Sequence, residues 1–163
     1  MSLVKQTLAG AVAGLFTVLS TASFAGENTP SKLRYIELSN KGSYVISDIW
    51  VKWKEDGKTK SQKFTQDLTQ DSAACFDLAK IGPSSDPSIP SGAEVWLEAQ
   101  IALGEKKSCR KDKKHYYENK GDNKSNPTWY LVMKGETLTN NRCTNSSVQS
   151  SEMVNAGNST DCE

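Results

Sequence analysis

The stretch Tyr44–Glu55 constrains this chain more than any other. Val45, Ile49, Val51 and Trp53 fall on one side of an extended backbone, with Ser47 the exception. Tyr44, Ile46, Asp48, Trp50, Lys52 and Lys54 take the other side. A period of two, rich in β-branched and aromatic residues, is a half-buried strand. Asp56-Gly57 follows at once, and a type I′ turn needs positive φ at both central positions, which this dipeptide supplies. The partner strand is expected over 58–65. Much of it is polar, as in a strand with one wet face or an edge whose lysines discourage edge-to-edge pairing. A hairpin with one apolar face needs a second layer to cover it.

Other segments read the same way. Residues 33–38 form a first strand, and Asn40-Lys41-Gly42-Ser43 a turn. Residues 75–78 are a short strand. Gly82, Pro83, Pro87, Pro90 and Gly92 make 82–92 a loop. From Ala93 to Leu103, Val95, Leu97, Ala99, Ile101 and Leu103 alternate with Glu94, Trp96, Glu98, Gln100 and Ala102, which favours a strand over a helix. Residues 128–133 are another strand. Roughly six to eight short strands, with no long helical pattern and no internal repeat, give an all-β fold. The expected architecture is a disulfide-stabilised antiparallel β-sandwich of immunoglobulin-like type. A jelly roll or small barrel is the competing architecture.

The chain of 163 residues is one domain's worth, with a formal net charge of +1. That balance argues against a general nucleic-acid binder. Residues 1–25 read as a signal peptide: Lys5 is the only charge before Glu27, an apolar run spans Leu8–Leu19, and Ser23 and Ala25 form a small-x-small end. The run is short for a bilayer, which needs about 20 residues, and no later segment is apolar enough to span. The sandwich is placed at 26–143, and 144–163, rich in Ser, Asn and Thr, reads as a low-complexity, disordered tail tied at Cys162. The expected location is secreted or periplasmic. There Cys75, Cys109, Cys143 and Cys162 form disulfides rather than a zinc site, whose close Cys-x2-Cys spacing is missing. Three pairings are open. Cys75 with Cys109 and Cys143 with Cys162 is the preferred one, because the second bridge would pin the tail.

One order of phrases resembles a known family. Ile36-Glu-Leu-Ser-Asn-Lys-Gly-Ser-Tyr-Val45 with Trp50-Val-Lys-Trp-Lys54, then Ile89-Pro-Ser-Gly-Ala-Glu-Val-Trp-Leu97, then Lys134-Gly-Glu-Thr-Leu-Thr-Asn-Asn-Arg-Cys143 are similar to the C-terminal β-sandwich of thiol-activated (cholesterol-dependent) cytolysins and to stand-alone secreted domains like it. The resemblance covers roughly 35–143 and implies a sandwich that meets a surface. In those toxins a Trp-rich loop touches membrane. The corresponding place here, Leu103–His115, has no Trp and no apolar tip, so cholesterol insertion is not expected to carry over. Nor is pore formation, for the toxins' upstream domains have no counterpart.

The candidate contact is a basic loop. Lys106, Lys107, Arg110, Lys111, Lys113 and Lys114 crowd together with only Asp112 opposing, and His115, Tyr116 and Tyr117 follow. Cations beside aromatic rings suit an anionic glycan, a lipid head group or an acidic protein; the bland alternative is a solvated hairpin. Trp96, with Trp50, falls on the charged face of its strand, where it either stacks a ligand or lies covered by a loop. His115 lacks a nucleophile and an orienting acid in any recognisable frame and is expected to be exposed. Glu94 and Glu98 share a strand face but read as ordinary solvent-facing carboxylates rather than a glycosidase pair. Asn123, Asn145 and Asn158 begin glycosylation triplets. No metal or cofactor is implied. The expected function is a non-enzymatic surface-binding module. The alternative is an interaction subunit or inhibitor that pairs a partner strand along 58–65.

Overall fold

A computed structural model describes residues 31–82, 89–119 and 127–147. In chain order its strands are β1 (Lys32–Leu33), β2 (Tyr35–Asn40), β3 (Ile46–Glu55), β4 (Lys58–Leu68), β5 (Ala73–Asp77), β6 (Glu94–Ile101), β7 (Lys106–Ser108), β8 (His115–Tyr117), β9 (Thr128–Lys134) and β10 (Arg142–Asn145). A single 3-10 turn, Leu78–Lys80, follows β5. The first sheet runs β1-β8-β6-β3-β4, with β7 also on β6; the second runs β10-β9-β2-β5. The fold is the expected all-β sandwich, but both sheets are mixed rather than wholly antiparallel. β1 pairs parallel with β8, and β2 with β9. Each parallel pair joins strands far apart in sequence, as a parallel ladder requires.

The hairpin forms where the sequence places it, with Asp56 and Gly57 at φ 48° and 74°. β4 continues to Leu68, beyond the expected 58–65, and stands at the edge of the first sheet. The Ser47 exception has a physical cause. A register irregularity between Ile46 and Asp48 inserts a residue and switches the faces that follow. Ile46 is therefore wholly buried with Ile49, Val51 and Trp53, while Val45 is only half-buried. This corrects the expected placing of Val45 on the apolar side and of Ile46 on the other.

The core lies between the sheets. Ile46, Ile49, Val51, Trp53, Val95, Leu97, Ala99 and Ile101 from the first face Ile36, Leu38, Phe76, Trp129, Leu131 and Met133 from the second. Arg34 separates β1 from β2 and is itself buried. It grips Asp77 with two prongs, Nε to Oδ1 at 3.0 Å and Nη2 to Oδ2 at 2.9 Å. A disulfide joins Cys109, just past β7, to Cys143 on β10, with Cα atoms 5.2 Å apart. It closes one side of the sandwich and overturns the preferred Cys75–Cys109 and Cys143–Cys162 pairing. Cys75 stands on β5, at the opposite edge of the second sheet from β10, where Cys109 cannot reach it. Closing a loop of 34 residues contributes about 4 kcal/mol in the chain-entropy model.

The expected leader 1–25, together with Asn123, Asn158 and Cys162, lies outside the described residues. Of the expected tail 144–163, Thr144 and Asn145 belong to β10, and 148–163 lie outside the described residues.

Trp129 is wholly buried, and its indole N–H donates to Asn145 Oδ1 at 3.0 Å. Trp129→Ala is expected to destabilise the fold by about 3–5 kcal/mol, whereas Lys54→Ala should stay within about 0.5 kcal/mol. Urea unfolding of the two variants checks this; equal midpoints would contradict the packing described.

Candidate functional site

The basic segment is not an open protrusion. β7 and β8 form inside it, both on β6, and residues 109–114 cross the side of the sandwich between them. Its cations meet groups of the first sheet's outer face. Arg110 binds Glu94 Oε1 through Nε at 2.8 Å and Nη2 at 2.7 Å, and its guanidinium lies 4.7 Å from the centre of the Trp96 ring. Trp96 is buried as a result, so it is the loop-covered tryptophan rather than an open platform. Lys106 sits 3.6 Å over Trp50, with Lys63 at 5.5 Å. Lys107 pairs with Glu105 at 2.8 Å, and Lys114 approaches Glu94 at 3.9 Å. Lys111 donates to the Cys143 carbonyl, and Lys113 is exposed. Tyr116 is exposed but Tyr117 is buried. Glu98 is held by Lys52 at 2.6 Å, so neither Glu94 nor Glu98 stands as an unengaged carboxylate.

His115 departs from expectation. It is buried, and its ring stacks on Trp129 with centroids 3.7 Å apart. It follows the cationic run in sequence, but it pairs opposite Val95, which turns it into the core. Asn145, the one glycosylation triplet start among the described residues, spends its side-chain oxygen on Trp129.

A second surface gathers at one end of the sandwich, where four loops interlock. Asn40 N–H donates to Ser72 O, Lys41 N–H to Met133 O, Ser43 N–H to Gly135 O, and Ala102 N–H to Val45 O, at 2.8–3.1 Å. The wholly buried Asn40 organises them. Its amide donates to Tyr44 O at 2.7 Å and Leu68 O at 2.9 Å, and its Oδ1 accepts from Gly42 N–H at 3.0 Å. Gly42 is required there, since a Cβ would lie 2.2 Å from the Tyr44 ring. The β6–β7 and β9–β10 loops touch: a Cβ on Gly104 would stand 2.6 Å from Thr137 O.

On those two touching loops stand Leu103, 96% exposed, and Leu138, 76% exposed. Leu103 also carries φ 59°, a left-handed conformation that is unfavourable for a branched side chain. The expected absence of an apolar tip is thus corrected, because Leu103 ends a loop rather than a strand. The alternation that put Leu103 in β6 hid this, and Leu138 lay in a polar run with no periodic signal. Lys106 and Lys107 lie behind Leu103 on β7, and Lys134 is exposed at the end of β9.

Charge at this end is partly neutralised. Burial disfavours the Asp48 carboxylate, but hydrogen bonds from Lys63 and Thr65 outweigh it and hold its pKa below the usual range. Lys107 does the same for Glu105. Burial pushes the Tyr44 phenol up to about 12, and its hydroxyl has no partner among the described residues. Two expectations follow. Asn40→Ala should destabilise by about 3 kcal/mol, since it strands buried backbone groups, while Tyr44→Phe should be neutral or slightly stabilising. With Tyr44 raised in the folded state, its contribution is complete below pH 10 and lost as pH climbs towards 12. Urea unfolding across that range should show a decline that Tyr44→Phe lessens; an identical decline would refute the burial of the phenol.

No family model and no curated protein matches the chain. Among solved structures, the chain is similar to the membrane-binding domain of pneumolysin at 14% identity and a TM-score of 0.31, over 69% of this chain and 94% of that one. It is similar to a non-hemolytic pneumolysin from Streptococcus pneumoniae at 12% identity and a TM-score of 0.34, over 69% of this chain and 23% of that one. For the cytotoxin suilysin from Streptococcus suis the figures are 11%, 0.33, 71% and 23%. The chain thus spans under a quarter of the length of those last two proteins.

Proposed function

We propose that this protein is a non-enzymatic, exported module that binds an anionic lipid surface through its loop end. The observation that carries this reading is the pair of exposed leucines on two touching loops. An exposed leucine in a left-handed conformation is unfavourable twice over, and such strain is found where function requires it. Burying one leucine side chain contributes roughly 1.5–3 kcal/mol, and each nearby lysine about 1 kcal/mol at an anionic membrane. Leu103 and Leu138 supply the apolar contact, and Lys106, Lys107 and Lys134 flank it. The sum describes weak, reversible, salt-sensitive attachment. The cross-linked sandwich suits an oxidising compartment. Arg110, Lys111 and Lys114 serve this reading by fixing the 109–114 segment rather than by touching ligand.

Strand pairing by a protein partner is the second reading, and it rests on the place of β4 at the edge of the first sheet. A stoichiometric partner in a pull-down, without vesicle binding, would select it.

The test is co-sedimentation with vesicles that contain or lack anionic lipid, at low and high salt. Leu103→Asn and Leu138→Asn are each expected to weaken binding about ten-fold or more. Leu103→Asn should leave stability unchanged or raise it by up to about 1 kcal/mol, because Asn tolerates positive φ. Undiminished binding by the double variant would sink the proposal.

A further inference from the structure

Among the described strands, β4 makes the longest sheet edge. Its 11 residues close one side of the first sheet. The other edge strands are short: β1 has 2 residues, β10 has 4, and β5 has 5, all of them buried. The hairpin fixes which backbone groups of β4 face outward. Glu55 and Lys58 flank a two-residue turn and form a hydrogen-bonded pair, and such pairs alternate along the ladder with non-bonded ones. Lys60, Gln62 and Phe64, opposite Trp53, Val51 and Ile49, therefore aim their N–H and C=O groups at β3. Thr59, Ser61, Lys63 and Thr65 aim theirs away from the sheet. All four are exposed, and no backbone group of the described loops bonds to them. The register is unbroken from Lys58 to Thr65, with neither a bulge nor a proline to blunt this edge.

Charge is what guards it. β4 carries Lys58, Lys60 and Lys63, with Asp67 near its far end. A second copy pairing by two-fold symmetry would bring both sets of lysines together, and like charges across a ladder are destabilising. An acidic strand meets the opposite condition. Lys58 and Lys60 are exposed and lie two residues apart on one side of β4, so carboxylates at every second position of a partner strand face them in turn. Lys60 pairs with Glu55 at 2.9 Å and Lys63 with Asp48 at 3.0 Å, but the two lysine side chains stay 52% and 49% exposed. Ion pairs at that exposure hold weakly and leave both cations open to a second carboxylate.

We propose that β4 takes up, as an added strand, an extended acidic segment of another protein; this rests on the strand-pairing reading above and supplies the partner's chemistry. The backbone of Thr59, Ser61, Lys63 and Thr65 bonds the segment, and Lys58, Lys60 and Lys63 select it. Lys58 and Lys60 lie at the hairpin end of β3 and β4, whereas Leu103 follows the end of β6 that meets Ile46 and Leu68. Contact with a lipid surface and strand pairing therefore do not exclude each other.

Three short peptides test this: glutamate alternating with valine, and the same peptide with glutamine or lysine in place of glutamate. Each is titrated into the intact protein while amide exchange is followed by NMR. The glutamate peptide should slow exchange at Thr59, Ser61, Lys63 and Thr65 and bind about five-fold or more tighter than the glutamine peptide. High salt should narrow that gap, and the lysine peptide should bind least. Ser61→Pro should abolish the protection, because the N–H it removes faces outward and the β3 ladder does not use it. Should that variant not fold, Lys58→Gln with Lys60→Gln, both at exposed positions, should erase the preference for glutamate. Equal protection by the glutamate and glutamine peptides would overturn the acidic partner and leave strand pairing standing. No protection of these four amides by any of the three would overturn both.

Discussion

Two apolar sheet faces can leave water only by closing on each other, and the rest of this structure follows from that closure. β3 sets it up, because Ile46, Ile49, Val51 and Trp53 make one continuous buried row once the irregularity near Ser47 has switched the faces. β2 and β9 answer from the other side with Ile36, Leu38, Trp129 and Leu131. The burial is non-directional, so it does not choose edges or loop positions. Those are set by polar contacts around the core: the buried Arg34–Asp77 pair, the Asn40 amide and the Cys109–Cys143 bridge.

The three polar contacts act at different places. Arg34 and Asp77 hold the break between β1 and β2 against the end of β5, and losing either partner alone would leave a buried charge. Asn40 replaces several backbone partners at once, so loops from both sheets meet at one end with their tips in contact. The disulfide, with Arg110 on Glu94, lays the 109–114 segment flat. The same bridge that strengthens the sandwich therefore spends much of the basic charge internally. What remains outward at the loop end is apolar at its tips and cationic behind them.

Much of the fold was legible in the sequence for a simple reason. Strand periodicity and turn chemistry are local, so the Asp56-Gly57 hairpin, the strand from Thr128 and the all-β class could be read from neighbouring residues. That Cys75, Cys109 and Cys143 form disulfides was equally legible, but that Cys109 meets Cys143 was not, because pairing depends on which edges the sheets bring together. The candidate site was read less well. The run from Lys106 to Lys114 looks like a solvated cationic loop in one dimension, since its carboxylates and tryptophans lie on β6 and β3. His115 looked exposed for the same reason, and its place opposite Val95 is set by sheet pairing alone.

The sequence by itself determined that this chain forms short strands with one apolar face each, because side-chain alternation and positive-φ turns are properties of adjacent residues. It also determined that the surface would carry a concentration of lysine near residue 110. Only the tertiary structure decided that Cys109 meets Cys143, that Arg110 covers Trp96, and that Leu103 and Leu138 stand together at one end. Each of these joins residues distant in the chain, and their meeting is fixed by how two twisted sheets exclude water between them rather than by any local preference.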